Sequence, residues 1–137
     1  MKKPTVLFLC TGNSARSQMA EAWLKHLAGD KFGVFSAGLK PSVINPLTIK
    51  VMEESGISMA GAYSKPLSHF LGKIKFDFVI TVCDNAAEAC PIFPGSGTRL
   101  HWSFEDPAGF SGSETEKLAK FREIRDLIQQ KIISWLE

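Results

Sequence analysis

Cys10, Thr11, Gly12, Asn13, Ser14, Ala15, Arg16 and Ser17 follow one another without interruption, bringing a thiol, a pliable turn and a guanidinium together. The run comes directly after the apolar residues Val6, Leu7, Phe8 and Leu9 and opens a segment with helical spacing. At such a strand-to-helix junction successive backbone N–H groups converge, and the helix N-terminus adds roughly half a positive charge. Gly12 and Asn13 tolerate the backbone angles the turn demands. Arg16 offers a two-pronged donor to a tetrahedral oxyanion. Together these groups favour the thiolate of Cys10, and the Ser17 hydroxyl can add a hydrogen bond to that sulfur. Cys10 alone would read as a small hydrophobe closing a strand. The C-x5-R-S spacing after the first strand is what favours a nucleophile on the floor of an anion site.

Chemistry on an oxyanion also needs a proton for the departing oxygen. Asp106, in Glu105-Asp106-Pro107-Ala108-Gly109, is the candidate, although an aspartate before proline is equally ordinary as a turn residue. Two further thiols, Cys83 and Cys90, flank the alanine-rich run Asp84-Asn85-Ala86-Ala87-Glu88-Ala89, which is expected to form a short helix ended by Pro91. Helical geometry would hold their Cα atoms about 10 Å apart, whereas a disulfide tolerates at most about 7 Å. A redox role therefore requires the segment to unwind; inert core thiols would not. His26, His69 and His101 show no ligand spacing, and no metal site is expected.

The elements that must position these groups alternate between strand and helix. Residues 5–9 form a continuous apolar run, as in a strand buried on both faces. A helix over 14–28 follows, with Met19, Ala22, Trp23 and Leu27 at helical spacing. Strands are expected at 32–37, 78–82 and 99–102. Asn45 and Pro46 open a helix that runs to Ser55. Leu118, Phe121, Ile124, Leu127, Ile128, Ile132 and Trp135 form the apolar stripe of a long C-terminal helix. Helices between strands imply an α/β fold with a parallel sheet covered on both faces, in one domain over residues 1–137.

With 45% hydrophobic and 22% charged residues, the composition is that of an ordinary globular chain. No apolar run approaches the ~20 residues of a membrane span, and residues 6–9 fall short of the ~7–15 of a signal-peptide core. A cytoplasmic location is expected, with no membrane contact. A net charge of +2 with interspersed signs excludes a basic tract for nucleic acid. Three cysteines, an odd number in a chain expected to carry no export signal, argue against a structural disulfide framework.

At the C-x5-R-S loop the chain resembles the low-molecular-weight protein tyrosine phosphatase superfamily. That resemblance implies a four-stranded parallel sheet flanked by helices on both faces, a nucleophilic Cys10, and anion binding by residues 11–17. It also matches Asp106 to the family's general acid. Within the superfamily, the runs Thr81-Val82-Cys83-Asp84, Cys90-Pro91 and His101-Trp102-Ser103-Phe104-Glu105-Asp106-Pro107 resemble the thioredoxin-coupled arsenate reductases. The resemblance implies reduction of arsenate to arsenite, with oxidation passing from Cys10 to Cys83 to Cys90 and thioredoxin as external donor. No bound cofactor and a monomeric state are expected; a tyrosine phosphatase is the alternative. Asn13, Glu21 and Ser36 match positions lining a potassium site in some related reductases. Here Lys65 follows Ser64 where those relatives carry an acid, so an ammonium is expected in place of a bound cation.

Overall fold

The computed structural model describes residues 3–70, 72–82 and 97–137. Cys83, Cys90 and the short helix expected between them lie outside the described residues. Four strands, β1 (Thr5–Cys10), β2 (Gly33–Gly38), β3 (Phe78–Thr81) and β4 (Thr98–His101), form a parallel sheet in the order β2-β1-β3-β4. Among the described residues three α-helices accompany them: α1 (Arg16–Ala28), α2 (Pro46–Glu54) and α3 (Glu114–Leu136). The chain leaves β1 for β2 on one side and later returns to β3 on the other. The carboxyl end of β1 is therefore the switch point, where open parallel sheets leave a crevice.

Register explains the core. Residues 6–10 of β1 are all buried, as a central parallel strand requires. Val6 pairs with Phe78 and Phe8 with Ile80, so these side chains share a face. On that face Phe8 meets Trp102, and Phe78 and Trp102 both meet Trp135 of α3. On the opposite face, where Leu7 pairs with Phe35, the Phe35 ring packs edge-on against Phe70 and Phe76. The expected stripe of α3 is buried at Phe121, Ile124, Ile128 and Ile132, but Leu127 is 49% exposed. Leu127 directly precedes Ile128, about 100° round the helix from it, and falls outside the arc that faces the core.

Helix starts differ in a way that matters. Asn45 caps α2 by accepting from the Leu47 N–H, and Ser113 with Glu116 closes a reciprocal capping box on α3. By contrast, α1 has no side-chain cap and no acid in its first turn. It begins at Arg16 rather than at the expected residue 14. Tertiary hydrogen bonds from the Asn45 N–H and the Thr48 hydroxyl to the Ser14 carbonyl hold that residue in the loop.

Helices α2 and α3 are clamped by Glu54. Arg122 donates to both of its carboxylate oxygens, at 2.9 and 2.7 Å, and Arg125 adds a bond at 3.2 Å. Hydrogen bonding from Arg122 is the main cause that holds Glu54 at a pKa of about 2, against an ordinary 4.5. A carboxylate depressed in the folded state contributes stability above its unfolded pKa and loses it as pH falls through its folded value. Glu54→Gln should therefore lower the thermal midpoint at pH 7, with the difference from wild type vanishing as pH falls from about 4.5 to about 2. Calorimetric melts across that range provide the check. Among the described residues, no helix is long and apolar enough to cross a membrane.

Candidate active site

Cys10 is the last residue of β1 and is 3% exposed. The loop that follows is shaped by what its carbonyls do. The Cys10 carbonyl accepts from the Leu39 N–H at 3.1 Å, Thr11 from Lys40 at 2.8 Å, Gly12 from Ser42 at 3.2 Å and Ser14 from Asn45 at 3.1 Å. The Gly12 carbonyl also accepts from the Ser64 hydroxyl, and that of Asn13 from the Gln18 amide. A planar trans peptide sets each carbonyl opposite the next N–H. Tying the carbonyls outward therefore turns the N–H groups of residues 11–15 toward the concave side, beside the uncapped start of α1. This is an anion cradle made of backbone.

Asn13 holds the cradle's shape. It is fully buried and carries the unusual backbone angle, φ +49°, whereas Gly12 has no positive φ. Its amide nitrogen donates to Ser17 Oγ at 2.8 Å and Ser36 Oγ at 3.0 Å. Its oxygen accepts from Gln18 Nε2 and the Lys65 N–H, both at 2.9 Å. Every hydrogen-bonding position of the side chain is filled, which stabilises a conformation that asparagine rarely adopts. Because Ser17 Oγ already accepts from Asn13, its own proton can point to Cys10 Sγ, 2.9 Å away.

Arg16 is largely buried beside the cradle. It donates to the Phe104 carbonyl at 3.0 Å, and its other terminal nitrogen lies 3.7 Å from Asp106 Oδ2. Asp106 is half exposed and caps a short 3-10 turn, Pro107–Gly109, by accepting from the Ala108 N–H. The fold thus sets Cys10 against Ser17, and Arg16 of the same loop against Asp106. Val82, the last described residue before Cys83, donates its N–H to the Leu9 carbonyl at 2.9 Å. Val82 therefore lies alongside the end of β1.

Lys65 stands where an ammonium was expected. Its Nζ donates to the Tyr63 carbonyl at 2.8 Å and lies 3.8 Å from Glu21, whose carboxylate also accepts from the Ser36 hydroxyl. Burial pushes the Lys65 pKa below its ordinary value, opposed by the Glu21 charge. Among the described residues, no cluster of histidine, cysteine, aspartate or glutamate is arranged to hold a metal ion. His101 instead shares a 2.7 Å hydrogen bond with Thr81 at the edge of the sheet.

Sequence reading missed the brace formed by residues 38–45. At Gly38, which pairs with Cys10, a Cβ would stand 2.7 Å from the Thr11 carbonyl and 2.8 Å from the Asn13 nitrogen. Only glycine lets β2 approach the cradle this closely. The available signal was a glycine at a strand end, which is indistinguishable from a simple stop. Gln18 was missed as well, since a buried glutamine within an amphipathic helix shows no distinctive spacing.

The fold and the cradle define an α/β protein with a buried cysteine at the switch point of a parallel sheet. The chain belongs to the low molecular weight phosphotyrosine protein phosphatase family, whose model matches residues 5–137. It is 44% identical over 137 residues to an arsenate reductase of Halalkalibacterium halodurans, covering 100% of this chain and 98% of that one. A solved arsenate reductase in the phosphate-binding state superposes with a TM-score of 0.82 at 34% identity, covering 96% and 95% of the two chains. The thioredoxin-dependent arsenate reductase of Corynebacterium glutamicum gives 0.63 at 32% identity, covering 96% of this chain and 63% of that one.

Proposed function

We propose that this chain reduces arsenate to arsenite by passing oxidation along three thiols, as part of arsenic detoxification. The observation that carries the reading is a buried sulfur at the end of β1, 2.9 Å from the Ser17 hydroxyl on the floor of the backbone cradle. Arsenate, a tetrahedral oxyanion, docks on the N–H groups of residues 11–17 and on Arg16. The Cys10 thiolate attacks arsenic, and Asp106 protonates the departing oxygen, which leaves as water. Cys83 then attacks Cys10 Sγ. The electron pair of the S–As bond stays with arsenic, so arsenite departs and a Cys10–Cys83 disulfide remains. Cys90 attacks Cys83, restoring the Cys10 thiolate and leaving Cys83–Cys90 oxidised. A thioredoxin dithiol reduces that pair with two electrons, so the protein needs no bound cofactor. Thioredoxin as donor is in keeping with the 32%-identical relative that depends on it. A reducing cytoplasm suits such a relay.

The test follows the thiols. Cys90→Ala should release about one equivalent of arsenite and then stall with Cys10 bound to Cys83, read by mass spectrometry after alkylation without reductant. Sustained thioredoxin-driven cycling by that variant would exclude the relay. A phosphatase reading would instead be supported by phosphotyrosine hydrolysis that persists at full rate without Cys83 and Cys90, in a protein that makes no arsenite. Weak ester hydrolysis alongside arsenate reduction is the expected side reaction of a shared cradle.

A further inference from the structure

Asp106 lies on a loop, and among the described residues its side chain makes one ion pair, with Arg16, and accepts one turn hydrogen bond, from Ala108. Something must fix the loop's distance from the cradle. One anchor is the Arg16 bond to the Phe104 carbonyl. A second comes from α3. Lys120 is only 16% exposed in its side chain and reaches Glu105, the neighbour of Asp106, at 3.4 Å. It is held from its own helix by Glu123, also at 3.4 Å. The same Nζ stands 5.2 Å from the centroid of the Phe110 ring, just past the 3-10 turn. One ammonium therefore touches the loop on both sides of Asp106, once through charge and once through a ring face. Partial burial favours the neutral amine, but hydrogen bonds to Glu123 and Glu105 outweigh it and raise the Lys120 pKa.

We infer that Lys120 is a positioning residue for the proton donor: by gripping Glu105 and Phe110 it holds the Asp106 carboxyl over the oxyanion cradle. The inference rests on the assignment of Asp106 as general acid. Lys120 makes no contact with Cys10 or the cradle among the bonds described, so its loss should slow protonation without weakening anion binding. A surface lysine with a merely structural part would instead lower the melting temperature and reduce activity irrespective of Asp106.

The experiment is a double-mutant cycle on arsenate reduction, with Lys120→Met and Asp106→Asn alone and together. Asp106→Asn should lower kcat by about 10²-fold, the lower range for a lost general acid. Lys120→Met should lower kcat by about tenfold, consistent with partial misplacement of that acid, with KM and the calorimetric affinity for inorganic phosphate within about twofold of wild type. In the Asp106→Asn background, Lys120→Met should have no further effect; with Asp106 intact, Lys120→Arg should keep most of the wild-type kcat. An unchanged kcat in Lys120→Met beside an impaired Asp106→Asn overturns the inference alone, as do losses that multiply in the double variant. Full activity in Asp106→Asn overturns the acid assignment and the inference with it.

Discussion

Cys10→Ser is expected to lose all arsenate turnover while still binding tetrahedral anions. Oxygen cannot replace sulfur here for two reasons. A serine hydroxyl is far less acidic than a thiol, so the Ser17 donor and the cradle amides do not make it an anion near neutral pH. The proposed relay also passes through a disulfide between Cys10 and Cys83, which oxygen cannot form. The cradle itself should survive, because its N–H groups are set by carbonyl bonds to residues 39–45 and by the Asn13 network, none of which uses the sulfur. Inorganic phosphate at a hundred times its Kd should therefore still stabilise the variant by about 2.7 kcal/mol, or roughly 9 °C for a chain of this size. Steady-state arsenite production and thermal melts with phosphate separate the two effects. Measurable multiple turnover in the serine variant would remove Cys10 from the mechanism.

Arg16→Lys is expected to lower kcat/KM by about 10²–10³-fold, the range seen when one preorganised oxyanion donor is lost. Lysine keeps the charge but not the planar pair of donors. The guanidinium has two tasks. In the proposed reaction it binds the oxyanion, and in the fold it fastens the Asp106 loop through the Phe104 carbonyl and Asp106. A single ammonium cannot satisfy both directions, so phosphate affinity and the chemical step should fall together. This combined loss differs from Lys120→Met, where affinity is retained. A drop smaller than about threefold, in a variant that melts like wild type, would place the guanidinium outside the chemistry.

The elements were readable because each carries a local pattern. An apolar run with no polar interruption marked β1, and Asn45-Pro46 marked the start of α2 with a mechanism attached. The ends were less readable. Backbone pairing with Gly38 carries β1 one residue beyond the expected run, to Cys10. Bonds from the brace delay α1 to Arg16. The stripe of α3 predicted Leu127 as buried because hydrophobicity suggests a face, while the arc that contacts the sheet is set by packing. Cys83 and Cys90, the further cysteines of the proposed relay, were legible as residue types and spacing, and their placement lies outside the described residues.

Sequence by itself determined the order of strands and helices and the nucleophile-to-arginine unit, because those depend on contacts between near neighbours in the chain. Only the tertiary structure decided that Asn13 rather than Gly12 bears the left-handed angle, that Gly38 must lack a side chain, and that Arg16 meets the Asp106 loop. Those facts arise where segments far apart in sequence are pressed together by one core. No local pattern encodes which carbonyl or carboxylate will arrive there.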